Sequence, residues 1–268
     1  MGKGCDERAG AEALSFGGGV ASLAFNFLAA ISCIFVNRQL LKPPVSFKYP
    51  VTLTLVGYAS SVLGLVVCRQ IGMLPPSRGH KKALSGLSTA ETVPLVLTTA
   101  LAPVLANYSL LLNSVGVYQL SKVLVTLAIV CFERLRGGTS LSPERAACLI
   151  VVSLGVTIVT VSDVSINLLG LAVALVNVAV AGYYKVDWAH TCRSHRLQSL
   201  ELMAVVMPPA TLLLAVLALV VEGSELLSYE MHRRTVVLLA LCGVTAFFTS
   251  WSGYVVISKL SALTHQLL

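Results

Sequence analysis

Lys122 is an ammonium group set in the middle of an apolar stretch, Ser114–Phe132, whose nearest acid is Glu133 at its far end. A Lys at the centre of a membrane-crossing helix costs about 2.5–3.5 kcal/mol on insertion scales. No Asp or Glu stands at mid-depth in any apolar run of the chain. An anionic ligand in a wet cavity is therefore expected to compensate the charge, in preference to a structural ion pair. Tyr118 lies one helical turn before Lys122 on the same face, and Gln119 flanks it three residues before. Asn107, Ser109 and Asn113 close the preceding run, and Thr52 and Thr54 belong to an earlier one. A cation, amides, hydroxyls and an aromatic ring suit a phosphate, a sugar and a base: charge to phosphate, amide to base edge, ring to ring. Ser and Thr hydroxyls in apolar helices often bond their own backbone, so they weigh less than Lys122.

The elements that must hold these groups follow from composition. Of 268 residues, 56% are apolar and 12% are charged, half the share of an average soluble domain. Mean hydropathy is +0.84. Such a chain is not a soluble enzyme, a disordered protein or a nucleic-acid-binding domain. Runs free of Asp, Glu, Lys and Arg, each near the roughly 20 residues of a membrane crossing, fall at 20–36, 49–68, 146–162, 164–184, 202–221 and 235–258. The stretch 92–132, broken only by Lys122, is too long for one helix. It divides into 92–112 and 114–132 about a turn at Asn113-Ser114. The fold expected is all-α, a multi-pass membrane bundle of eight full spans. Continuous rather than alternating apolar runs exclude a strand barrel.

Charge then sets orientation. With the N-terminus on one side, thirteen Lys and Arg fall on that side and five on the other, with Lys122 inside a span. Lys185, bounding the run 164–184, is counted with the thirteen. The positive-inside rule places the N-terminus in the cytosol. Residues 1–16 carry mixed charge and lack the apolar core of a secretory signal, so they are expected to form a cytosolic tail. The seven Cys are dispersed and are expected to pack as small apolar residues. His190, Cys192 and His195 lack a second cluster that would complete a metal site, so neither metal nor cofactor is expected. Asn26 and Asn177 are expected to be interhelical hydrogen-bond partners. Pro94, Pro103, Pro208 and Pro209 are expected to kink their helices. No carboxylate pair or nucleophile–base pair stands at mid-depth, which argues against an enzyme.

The ordered residues Asn107-Tyr108-Ser109-Leu110, Asn113-Ser114-Val115-Gly116 and Tyr118-Gln119-Leu120-Ser121-Lys122 resemble a stretch of the triose-phosphate translocator and nucleotide-sugar transporter family. That family belongs to the drug/metabolite transporter superfamily. Asn37-Arg38 resembles the end of its first helix, and Tyr49-Pro50-Val51-Thr52 the entry to its second. Val161-Ser162-Asp163 followed by Asn167-Leu168-Leu169-Gly170 resembles the junction of its halves. Ser261-Ala262-Leu263-Thr264-His265-Gln266 resembles its ninth span. The order of motifs is most similar to the branch containing UDP-xylose transporters.

The resemblance implies ten helices in two inverted five-helix repeats, here about 17–162 and an incomplete 163–268. It implies a secondary antiporter that moves a nucleotide sugar across a Golgi or endoplasmic reticulum membrane in exchange for a nucleoside monophosphate. It also implies substrate contacts at Lys122, Tyr118, Gln119, Asn113, Asn107, Asn37, Arg38, Thr264 and Gln266, with Lys122 on phosphate. Arg38 replaces the family's Lys and keeps the charge, whereas Leu127 replaces a Pro. The family continues with Gly-His-x-Lys after the position of Leu268. The expectation is therefore a carrier cut at the start of its ninth helix, without a second cationic contact. A phosphorylated-metabolite/phosphate exchanger, and a truncated non-transporting partner of an intact relative, are the alternatives. The partners expected are the lipid bilayer and a phosphorylated small molecule, with a homodimer left open and no nucleic acid.

Overall fold

The computed structural model describes residues 3–71, 86–136, 147, 150, 151, 154, 155, 167–197 and 199–259. Most of the apolar run 146–162, and residues Thr264 and Gln266, lie outside them. The long helices are α1 (Lys3–Leu41), α2 (Pro50–Gln70), α3 (Thr89–Leu112), α4 (Val115–Leu135), α5 (Leu168–Ser194), α6 (Ser199–Val221) and α8 (Arg233–Lys259), with the single turn α7 (Gly223–Leu226) between the last two. Seven of these, all but α7, are long and apolar enough to cross a membrane. The fold is a helical multi-pass bundle.

Identifiable groups start four of the helices where they begin. Ser88 and Glu91 form a reciprocal capping box at the start of α3. The Ser114 hydroxyl accepts from Val117 N at the start of α4, so the whole connection between α3 and α4 is Asn113-Ser114. The Asn167 side chain accepts from Leu169 N at the start of α5. Pro50 stands in the first turn of α2, where its missing N–H costs nothing. The next two amides of α2, Val51 and Thr52, donate to the Glu222 carboxylate at 2.8 Å each, and the Thr52 hydroxyl donates at 2.7 Å. A buried acid from beyond the end of α6 thus caps α2.

α5 departs from expectation in length. The apolar run 164–184 stops at Lys185, yet the helix continues nine residues further to Ser194. Lys185 is therefore inside a span and is not a loop charge. The helix persists because Val186, Trp188, Ala189 and Cys192 pack into the bundle core. The one acid nearby, Asp187, pairs with Arg136 at 2.6 Å. α1 likewise begins at Lys3, well before its membrane-crossing part Ala21–Leu41.

α1 packs chiefly on α8, α5 on α3 and α4, and α2 on α8 and α6. Small residues permit these approaches. A Cβ on Gly57 would stand 2.9 Å from Ala246 Cβ across α2 and α8. One on Gly182 would stand 2.7 Å from Ala128 Cβ across α5 and α4. At one end of the bundle Lys42 Nζ donates to Leu111 O at 2.7 Å, the Tyr229 hydroxyl to Val45 O at 3.2 Å, and Asn113 Nδ2 to Gly170 O at 2.9 Å. The Arg136–Asp187 and His195–Glu91 pairs tie the opposite end.

Candidate functional site

Six helices leave a cavity of about 260 Å³ between them. α1 lines it with Ala30, Cys33, Ile34 and Asn37, and α4 with Tyr118, Lys122 and Val125. Both sets recur at three- and four-residue steps, so each occupies one helix face. α5 adds Asn177, Ala181, Tyr184 and Lys185 on the same rule. α2 supplies Thr54, Gly57 and Tyr58, α3 supplies Pro103 and Asn107, and α8 supplies Cys242, Thr249, Ser250 and Tyr254. Leu40, Leu41, Phe47, Leu53, Leu110 and Tyr118 pack together near the 42–49 connection and close that end.

Lys122 Nζ stands 5.2 Å from the centroid of the Tyr118 ring, a cation–π contact of about 0.5–2 kcal/mol. Lys185 lines the same cavity from the opposing helix. A chain of polar groups crosses four helices beside them. Cys242 Sγ donates to Asn37 Oδ1 at 3.2 Å, and Asn37 Nδ2 to Asn107 Oδ1 at 3.1 Å. Asn107 Nδ2 donates to Thr54 Oγ1 at 3.0 Å, which in turn donates to Pro50 O at 2.8 Å. The Tyr58 and Tyr184 hydroxyls both meet that of Tyr254. The Tyr254 ring is stacked on Trp188 at 3.9 Å between centroids. Asn177 Oδ1 is buried and has no hydrogen-bond partner among the described residues.

Lys122, Tyr118, Asn107 and Asn37 are thus brought together. Gln119 and Arg38 are exposed and line no part of the cavity. Each follows a lining residue, Tyr118 or Asn37, and one step along an α-helix turns the side chain by about 100°. Asn113 is buried at the corner of α3 and α4, where it donates to Gly170 O and to Ser109 Oγ. It positions the corner against α5 and does not face the cavity. Asn26 does bridge helices, donating to Ser252 Oγ at 3.0 Å. Asn177 is buried on α5, and its Oδ1 has no hydrogen-bond partner among the described residues.

Sequence reasoning missed Lys185, Tyr58, Tyr184 and Tyr254. The signal for Lys185 was its spacing from Asn177 and Ala181, which puts all three on one face once the helix is allowed to continue. Among the described residues no group of three His, Cys, Asp or Glu is placed to share a metal ion. His195 pairs with Glu91 at 3.2 Å, and Cys192 is buried in the core.

The model of the triose-phosphate transporter family matches residues 20–267. The chain belongs to this family. Within the triose-phosphate transporter family it is 32% identical over 251 residues to nucleotide-sugar uncharacterized transporter 1 of Arabidopsis thaliana, covering 94% of this chain and 63% of that protein. It is 27% identical to the Arabidopsis UDP-rhamnose/UDP-galactose transporter 2, covering 93% of this chain and 71% of the relative. It is 23% identical to the Arabidopsis UDP-xylose transporter 3, covering 94% and 69%. The chain therefore spans a little under two thirds of the length of the first of these relatives. The family is one of transporters, not enzymes.

Proposed function

We propose that the chain carries a nucleotide sugar across a Golgi or endoplasmic reticulum membrane in exchange for a nucleoside monophosphate, with its N-terminus in the cytosol. The observation that carries this reading is the cavity itself. Lys122, held over Tyr118, offers charge to a phosphoryl group, while Asn37 and Asn107 offer amides to a sugar or base edge. The names of the relatives point to nucleotide sugars as the substrate class. We also read 17–162 and 163–268 as two repeats of opposite orientation. Supporting this, α1 lies chiefly on α8 while α5 lies foremost on α3. That is the pattern obtained when first and sixth spans, and third and eighth spans, exchange roles, with the run 146–162 counted as the fifth.

The test is exchange in proteoliposomes preloaded with nucleoside monophosphates and offered a panel of labelled nucleotide sugars. Wild-type protein should show uptake that depends on the internal nucleotide. Lys122→Ala should lose it while keeping its far-UV helicity and its elution as a discrete species. Uptake by Lys122→Ala equal to wild type would remove Lys122 from the site. Uptake of triose phosphate against phosphate, with none of any nucleotide sugar, would replace the substrate assignment.

A further inference from the structure

We propose that Asn37 reads the edge of a nucleobase and selects one with a carbonyl there, and that Thr54 is the positioning residue that fixes which end of the Asn37 amide donates. This rests on the carrier reading and specifies which bases its site accepts. Asn37, on α1, is half-buried and lines the cavity. A planar amide has nearly the same shape in its two flipped orientations, so its partners set its polarity. Here the partners form a directed series. The Thr54 hydroxyl has a single hydrogen, which goes to Pro50 O at 2.8 Å. Its oxygen is left to accept, so Asn107 turns Nδ2 toward α2, 3.0 Å away. The Asn107 Oδ1 then faces α1 and can only accept, and Asn37 presents Nδ2 to it at 3.1 Å. The Asn37 Oδ1 is thereby left toward α8, where the Cys242 thiol donates at 3.2 Å. A thiol is a weak donor and a weak acceptor, so it fits this polarity without imposing it. The order is imposed from the other end, by a backbone carbonyl that can only accept.

The series leaves part of the Asn37 amide for a ligand. An Asn side chain has two N–H hydrogens and two carbonyl lone pairs. Among the described residues, Asn107 takes one hydrogen and Cys242 one lone pair, so one of each remains. Asn107 is buried and acts as the relay, whereas the more open Asn37 is the residue placed to meet a ligand. The spare N–H is the stronger demand, because an unmet amide hydrogen is tolerated less well inside a protein than a carbonyl with one lone pair free. Asn pairs side by side with base edges, and the polarity of its amide decides which edge fits. Uracil and guanine offer a ring carbonyl beside a ring N–H, which meets the donor and then the acceptor of Asn37. Cytosine and adenine carry an amino group in place of that carbonyl, which sets donor against donor. An amide free to flip would accept either kind of base; one held by Thr54 does not.

The experiment uses the full chain purified in detergent and measures thermal stabilisation as a function of ligand concentration. The probes are the 5′-monophosphates of uridine, cytidine, guanosine and adenosine, which share phosphate and ribose and differ in the base. Within any pair that binds, uridine against cytidine or guanosine against adenosine, the carbonyl-bearing member should bind at least about 10-fold more tightly. That is the loss expected when a buried donor is left unmet. Thr54→Val keeps the shape and removes the hydroxyl, so Asn107 loses its fixed partner and both amides can flip. The ratio within the pair should then fall toward one, and Thr54→Ser should restore it. A purely structural role would weaken both members together and leave the ratio unchanged, and that result overturns the proposal. Equal binding within the pair by wild type, or preference for the amino base, also overturns it; in each of these cases the carrier reading stands. If wild type binds none of the four, both fall. Asn107→Leu cuts the same series and stands in if Thr54→Val does not fold. If neither folds while Thr54→Ser does, the hydroxyl is structural and the proposal is overturned.

Discussion

Pro103 has no amide hydrogen, so the carbonyl of Thr99, four residues earlier on α3, loses its helical partner. In lipid such an orphan cannot turn to water. The Tyr58 hydroxyl, reaching from α2, donates to it. One side chain thus repairs the helix defect, pins α2 to α3 beside the cavity and joins the tyrosine cluster with Tyr184 and Tyr254. Tyr58→Phe keeps the ring and removes only the hydroxyl. It should destabilise the protein by about 1 kcal/mol, within the range measured for single hydrogen bonds between membrane helices, and lower the unfolding midpoint in detergent. An unchanged midpoint would mean that the Thr99 carbonyl finds another donor. The proline was legible in the sequence, where it is expected to kink its helix. Its repair was not, because Tyr58 is 41 residues away from Thr99 and nothing in the local pattern links the two.

At the scale of elements, the N-terminus of α2 shows how a distant residue completes a helix. Tyr49 precedes it without a side-chain cap, leaving the Val51 and Thr52 amides to be met from elsewhere. Glu222 meets both, and its negative charge also complements the positive end of the α2 dipole. The same contact ties α2 to the end of α6, and the Tyr49 hydroxyl adds a bond to Glu225 O at 3.0 Å. Glu222→Ala should cost about 1–2 kcal/mol, the range for losing a helix cap. Glu222→Gln should cost less, because it retains one acceptor. Amide exchange at Val51 and Thr52 should quicken in the Ala variant ahead of the rest of α2. Uniform exchange across the helix would show that the cap is not what holds its first turn. Pro50 marked this helix start plainly in the sequence. The acid that completes it did not announce itself, since a lone Glu after an apolar run reads as an ordinary loop charge.

For the molecule as a whole, the outer surface is apolar, as a bilayer requires. Leu168, Leu219, Val220 and Leu227 are each at least three-quarters exposed. Polar groups are instead gathered inward around the cavity or at the two ends of the bundle. The two ends differ in charge: most Lys and Arg belong to the end that carries Arg136, Arg193 and Arg196. The positive-inside rule supports the proposal that this end and the N-terminus face the cytosol. An epitope placed before Lys3 should be reached by antibody in cells whose plasma membrane alone is permeabilised. Labelling that requires permeabilised internal membranes would reverse the orientation. Moving Lys185 from the ends to the interior removes one charge from the cytosolic side and leaves the bias intact.

Membrane character, the placement of most spans, the Asn113-Ser114 corner and the position of Lys122 inside a span followed from the sequence alone. They depend on local terms: the free energy of moving a run of side chains into lipid, and the cost of one cation within such a run. What shares the cavity with Lys122 was decided by tertiary structure. Gln119 and Arg38 turn away while Lys185, Asn177 and three tyrosines turn in, because helix rotation is set by packing against neighbours far away in the chain. The close approach of Gly182 to Ala128 is one such contact, and it brings α5 and its lysine against α4. Hydropathy sums a run without regard to the direction of its side chains, so it could mark where most spans lie but neither the continuation of α5 past Lys185 nor which helix faces line the cavity.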